Sequence, residues 1–136
     1  MDFKLLDIGY DSSPKKKILV VDDETALQTV LFDTFSENFS VVAAHNGREG
    51  VSKAETFQPD LILMDVMMPD LNGYDAIKLL RANKTTQNIP VILMTAKGFD
   101  TSTIQMIKSE ANVAAFIAKP FRIAEIRATV SKVLEK

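Results

Sequence analysis

The 136-residue sequence predicts an α/β fold, a doubly wound parallel sheet of five strands with helices on both faces, and three observations predict it. Short apolar runs recur along the chain. Longer stretches between them carry apolar residues at helical spacing. The two kinds of segment alternate from about residue 17 to residue 136, the signature of repeated β-α units. Runs that are apolar on successive residues suit strands buried on both faces, as in a parallel sheet. Right-handed crossovers then place helices on both sides.

The elements follow in order. Residues 17–22 (KILVVD) form the first run, and Leu27, Val30, Leu31 and Phe35 after it fall on one helical face. A weaker run at 39–44 (FSVVAA) precedes Asn46-Gly47-Arg48-Glu49, which reads as a capping box opening the second helix. Gly50 inside that helix is expected to weaken it by ~1 kcal/mol relative to alanine. Pro59 introduces the third run, 60–65 (DLILMD), and Asn72 is placed to cap a helix beginning at Gly73. The fourth run is 89–95 (IPVILMT), and Asn112 is expected to end the following helix in the left-handed conformation. The fifth run, 114–118 (AAFIA), leads into a stripe of Ile123, Ile126, Val130, Val133 and Leu134. Residues 1–16 read as an N-terminal extension and linker, expected to be flexible, and 17–136 as the folded domain. Phe3, Leu5, Leu6, Ile8 and Tyr10 make the extension more apolar than a typical tail.

Composition removes several function classes. Sixteen basic residues against 18 acidic ones give a net charge of −2, no footprint for direct nucleic-acid binding. The chain has no cysteine and a single histidine, His45, so disulfides, thiolate metal sites and histidine-rich centres are excluded. No apolar stretch approaches the ~20 residues of a membrane span. The N-terminus breaks its apolar residues with charges and lacks a cationic leader, so it is not a secretory signal, and the cytoplasm is the expected location.

Carboxylates, hydroxyls and amines remain for chemistry. In open parallel sheets ligands bind at the carboxyl ends of the strands. There the first run delivers Asp22 and Asp23, the third Asp65 and the fourth Thr95, while Lys119 follows the fifth. Singly, each has an ordinary explanation: Asp22 and Asp23 as helix caps, Asp65 in a loop, Lys119 at the surface. Together they do not. Three carboxylates at one sheet edge repel one another, and a hard divalent cation with oxygen ligands, such as magnesium, offsets that repulsion. A hydroxyl and an ammonium suit phosphoryl oxygens. One carboxylate can then serve as nucleophile and form an acyl phosphate, for which Asp65, mid-sheet, is best placed.

The stretches Lys17-Ile-Leu-Val-Val-Asp-Asp-Glu24, Leu61-Ile-Leu-Met-Asp-Val-Met-Met-Pro-Asp-Leu-Asn-Gly73, Val91-Ile-Leu-Met-Thr-Ala96 and Lys119-Pro-Phe121 together resemble the receiver domain of two-component response regulators, of the chemotaxis-regulator kind. The resemblance implies a flavodoxin-like sheet of strand order 2-1-3-4-5 and a cis Lys119–Pro120 bond. It implies that Asp65 accepts a phosphoryl group from a sensor histidine kinase or a histidine phosphotransfer protein. Asp23, Asp65 and the backbone carbonyl of Met67 would bind Mg2+ directly, with Asp22 acting through water. Thr95, the backbone of Ala96 and Lys119 would contact the phosphoryl group. Thr95 and Phe116 would form the switch, with Phe116 otherwise a plain core residue. The surface of the fourth helix, fifth strand and fifth helix would bind a downstream effector or output domain, with a phosphorylation-dependent homodimer as a further outcome. Met67 and Lys97, two positions after Asp65 and Thr95, would lengthen the phosphorylated lifetime by hindering water.

A receiver is a phosphoacceptor signalling domain, with its own self-phosphorylation and self-dephosphorylation chemistry, and is not counted as an enzyme. Two alternatives differ in class. An aspartyl-phosphate hydrolase of the haloacid dehalogenase kind needs a second acid two residues after its nucleophile, where this chain has Met67. A receiver fold used only for interaction usually lacks one of the acids or the lysine, and all are present here. Asn112 in place of glycine, Arg122 at the start of the last helix and Val113-Ala-Ala115 before Phe116 depart from the commoner receiver pattern. They bear on partner contacts, not on the acidic pocket.

Overall fold

The computed structural model describes residues 15–68, 71–96 and 101–135. Its elements are β1 (Lys17–Val21), α1 (Thr25–Phe35), β2 (Ser40–Ala44), α2 (Gly47–Phe57), β3 (Leu61–Asp65), α3 (Gly73–Ala82), β4 (Val91–Thr95), α4 (Thr101–Lys108), β5 (Val113–Ala118) and α5 (Ile123–Leu134). The strands pair in parallel in the order β2-β1-β3-β4-β5, as the resemblance implied. The reading of residues 1–16 as a flexible extension falls almost wholly outside the described residues.

Two cores flank the sheet, and strand alternation sorts the residues between them. Leu19 and Val21 of β1 face one way, with Ile62 and Met64 of β3 and Leu93 of β4, under Ala54, Ile77, Leu80 and Ile107 of α2, α3 and α4. Ile18 and Val20 face the other way, with Leu61, Leu63, Ile92 and Met94, under Leu31 and Phe35 of α1 and Ile126 and Val130 of α5. β3 and β4 are buried at every position, which is why their sequences are so apolar. A bulge in the β4–β5 pairing, where Val91 meets Val113 but Ile92 meets Ala115, absorbs Ala114.

The caps expected at Asn46 and Asn72 are present: their side chains accept from the backbone N–H groups of Glu49 and Asp75, both at 2.9 Å. In the capping box, Glu49 reaches back to the N–H of His45 at 2.8 Å and also contacts Lys53 at 3.0 Å. The backbone bond to His45 comes first, then the Lys53 contact, in lowering the Glu49 pKa to about 2.

Three local expectations are corrected. Val30 is 43% exposed, and the buried face of α1 consists of Gln28, Leu31, Thr34 and Phe35. Two polar residues occupy inward positions there because their side chains are hydrogen-bonded, Thr34 to the Val30 carbonyl and Gln28 as described below. Asn112 is not left-handed: among the described residues the positive φ belongs to Gln58 (51°), which ends α2 and donates its side-chain amide to the carbonyls of Ala54 and Glu55. Asn112 is instead buried at the start of β5, its backbone carbonyl accepting from Val91 N–H. Gly50 is not simply a weak helix residue. A Cβ there would lie 2.8 and 2.9 Å from the Val21 methyls, so its absence lets α2 sit directly on β1.

Candidate functional site

The carboxyl ends of β1, β3, β4 and β5 converge, and each strand's last hydrogen bonds fix the residue beyond it. The Asp22 N–H donates to the Ala44 carbonyl at 3.1 Å, prolonging the β1–β2 pairing by one residue. Asp65 is the last residue of β3 and pairs with Met94. The Lys119 N–H donates to the Thr95 carbonyl at 2.7 Å, so the lysine is anchored to β4 as it leaves β5. The Lys119–Pro120 bond is cis. On the other side of Asp65, a Cβ at Gly73 would lie 2.8 Å from the Asp65 carbonyl, so only glycine lets α3 begin this close to the end of β3.

The side chains then meet. Asp22, Asp23 and Asp65 each place a carboxylate oxygen within 4.8 Å of the others. Asp22 is fully buried, Asp65 is 5% exposed, and Asp23 is open to solvent. Lys119 Nζ lies 3.1 Å from Asp22 Oδ2 and 3.4 Å from Asp65 Oδ2. Asp22 Oδ1 accepts from the Glu24 N–H at 2.8 Å, while Glu24, the residue before α1, makes no side-chain cap. Asp22 is thus committed to the site rather than to capping a helix. Asp65 Oδ1 receives a long bond, 3.4 Å, from the Met67 N–H.

The electrostatics are unbalanced toward negative charge. Burial, then the neighbouring Asp22 charge, pushes the Asp65 pKa from 3.8 to about 6, against the opposing pull of Lys119 and the Met67 amide. Burial works against the Lys119 ammonium, but its contacts with Asp22 and Asp65 outweigh that and hold its pKa above the ordinary lysine value. Among the described residues, the Lys119 ammonium thus faces a cluster of three carboxylates. The donor set is all oxygen, and its clustering within 4.8 Å matches the roughly 4 Å between opposite ligands of a magnesium-sized ion. The residues fit a hard divalent cation.

The remaining expected residues are placed as follows. Thr95 is buried, its hydroxyl donating to the Ala96 carbonyl at 3.0 Å rather than to Asp65. Ala96 is exposed at the rim, and Met67 projects outward, 60% exposed. Phe116 is half-buried against the core under α4, with Lys108 Nζ 5.2 Å from its ring centre. Lys97 lies outside the described residues. An apolar cavity of about 680 Å³ opens beside the acidic cluster, between Leu27 and Val30 of α1 and Pro120 and Phe121.

Sequence reasoning missed one residue at the site. Gln28 of α1 is buried, and its Nε2 donates to the carbonyls of Asp22 and Ala44, both at 2.7 Å. Its signal was a polar side chain at i−3 and i−7 from Leu31 and Phe35, on the stripe facing the sheet.

An open five-stranded sheet with an acidic cluster and a lysine at its carboxyl edge defines a class of signalling domain, and comparison with known proteins agrees. The family model described as response regulator receiver domain matches residues 18–131. The chain belongs to this family: it is a receiver domain of the two-component response regulators. It is 37% identical over 120 residues to the chemotaxis protein CheY of Thermotoga maritima, covering 87% of this chain and 97% of that protein. It is 38% identical over 122 residues to the alkaline phosphatase synthesis transcriptional regulatory protein PhoP of Bacillus subtilis, covering 89% of this chain and 49% of that protein. The chain spans about half the length, or less, of several curated relatives that it matches. Among solved structures it is similar to the receiver domain of sensor histidine kinase PA1611 from Pseudomonas aeruginosa PAO1, which has a magnesium ion coordinated in its active site cleft. The TM-score is 0.80 and the identity 28%, over 90% of this chain and 99% of that one. No helix among the described residues is long and apolar enough to cross a membrane.

Proposed function

We propose that this chain is a magnesium-dependent phosphoacceptor in which Asp65 takes a phosphoryl group from the phosphohistidine of a sensor histidine kinase or a phosphotransfer protein. The observation that carries this reading is the cluster of three carboxylates, two of them in contact with Lys119, with burial and the Asp22 charge raising the Asp65 pKa to about 6. A carboxylate oxygen of Asp65 attacks phosphorus, the nitrogen–phosphorus bond of the donor breaks, and the released imidazole keeps the electron pair and takes a proton. The product is a mixed anhydride.

Asp23 and Asp65, with the Met67 carbonyl, would hold the cation, and Asp22 would act through water. The bound cation supplies charge neutralisation for the phosphoryl oxygens. Lys119, 3.4 Å from Asp65 Oδ2, would pair with a phosphoryl oxygen once Asp65 is phosphorylated. The Thr95 hydroxyl would exchange the Ala96 carbonyl for the phosphoryl group, and Phe116 would follow it inward. The surface of α4, β5 and α5 would carry that change to an effector or a second copy in the cytoplasm. Met67 and Lys97 would shield the anhydride from water.

The test is intact mass after incubation with acetyl phosphate and Mg2+, beside Asp65→Asn. One added phosphoryl group, lost with EDTA and absent from the variant, is expected. No adduct, together with no NMR response to beryllofluoride, refutes the phosphoacceptor reading and leaves a receiver fold used for interaction alone.

A further inference from the structure

We propose that Gln28 is a positioning residue for the acidic turn, its side-chain amide bridging the Asp22 and Ala44 carbonyls and so holding Asp22 and Asp23 where they bind a divalent cation. The proposal rests on the magnesium reading above and deepens it.

The last paired residues of β1 are Val21 with Ala44 on one side and Val21 with Met64 on the other. Asp22 still donates its N–H to Ala44 on the β2 side, but it lies beyond the last paired residues, and among the described residues no backbone N–H meets its carbonyl. It is also fully buried, where an unpaired carbonyl is costly and water is excluded. Gln28 supplies the missing donor. One N–H of its amide meets the Asp22 carbonyl and the other the Ala44 carbonyl, both at 2.7 Å, so both donors are used. The backbone N–H of Gln28 donates to the Glu24 carbonyl at 3.1 Å, closing the first turn of α1. A single residue thus ties the start of α1 to the ends of β1 and β2.

The turn so held carries the acids. Asp22 Oδ1 accepts from the Glu24 N–H and Oδ2 from Lys119, so the side chain follows any rotation of the Asp22 backbone. Asp23 is exposed, and its position follows from the backbone on either side. Groups that orient metal-binding carboxylates typically account for about 10–100-fold in metal affinity. A filler of similar shape without donors, such as methionine, preserves the packing and frees the carbonyl.

The test compares wild type, Gln28→Met, Gln28→Asn and Thr34→Val. Thr34 is the control because it is buried on the same face of α1 but bonds to Val30 within the helix. Each protein is titrated with MgCl2 and followed by amide NMR, with urea unfolding in EDTA alongside. Gln28→Met is expected to weaken Mg2+ binding about tenfold. In EDTA it should also shift the Asp22, Asp23 and Glu24 amides, a readout that needs no metal. Gln28→Asn, one methylene short of spanning both carbonyls, should do the same. Thr34→Val should lower stability and leave Mg2+ affinity unchanged.

Mg2+ affinity within twofold of wild type in Gln28→Met overturns the proposal while leaving the site reading intact. If that variant does not fold, the same criterion applied to Gln28→Asn decides. An equal loss of affinity in Thr34→Val overturns it as general loosening of α1. Absence of saturable binding in wild type overturns the site reading and this proposal together.

Discussion

Asp65→Asn is expected to stabilise the metal-free protein, although it removes the residue proposed to receive the phosphoryl group. Asp65 is 5% exposed, and its pKa stands at about 6 against an ordinary 3.8. A tenfold change in proton affinity corresponds to about 1.36 kcal/mol, so keeping this carboxylate ionised at pH 7 costs the fold about 3 kcal/mol. Asparagine has nearly the same shape and no charge. It gives up an ion pair at 3.4 Å, but Lys119 keeps its closer partner Asp22 at 3.1 Å. A net gain of about 1–3 kcal/mol is expected, a rise of roughly 1 M in the urea midpoint. The unfolded carboxyl ionises near 3.8 and the folded one near 6, so between these values the folded state binds more protons. Wild-type stability from this group therefore falls as pH rises through that window, and the advantage of the variant grows. Below about pH 4 the advantage vanishes, because wild type is increasingly neutral there in both states. Magnesium at 100 times its dissociation constant returns about 2.7 kcal/mol to wild type and narrows the gap. The assay is urea unfolding at pH 7 and pH 4 in EDTA, repeated at pH 7 with Mg2+. A variant no more stable than wild type at pH 7 in EDTA, or one whose gain persists undiminished at pH 4, refutes the reasoning.

Gly50→Ala is expected to destabilise by about 1–3 kcal/mol despite alanine's better helix propensity, since the new methyl meets Val21 at 2.8 Å; calorimetric melting reads the sign directly. Asn46→Ala removes the bond to the Glu49 N–H and should cost about 1 kcal/mol by urea unfolding, whereas Asn46→Ser should cost much less. Lys119→Met takes away the cation shared by Asp22 and Asp65, so metal-free stability should fall more steeply between pH 4 and pH 7 than in wild type. Parallel profiles for the two proteins would show that the lysine contributes no charge balance.

The sheet could be read from sequence because burial on both faces writes strands as unbroken apolar runs, and 61–65 and 91–95 are apolar up to the polar residue that ends each one. Strand ends are also where the acids, the threonine and the lysine fall, so the site was legible as soon as the strands were. The face of α1 was not. Val30 suits a buried stripe by hydropathy, yet Gln28 takes an inward place because two carbonyls wait there, and those carbonyls belong to strands that periodicity alone does not bring near it. The left-handed residue was misplaced for a related reason. Gln58 tolerates its positive φ with its own side chain folded onto the last carbonyls of α2, a local solution that composition does not announce.

The bond between Lys119 and Asp22 joins residues 97 positions apart. In chain order, Asp22, Asp23 and Asp65 all precede by more than 50 residues the lysine that offsets part of their charge. Contacts of such separation must offset loop-closure entropy before they contribute. Completion of β5 and arrival of Lys119 coincide, so its ion pairs with Asp22 and Asp65 form only when the last strand is in place.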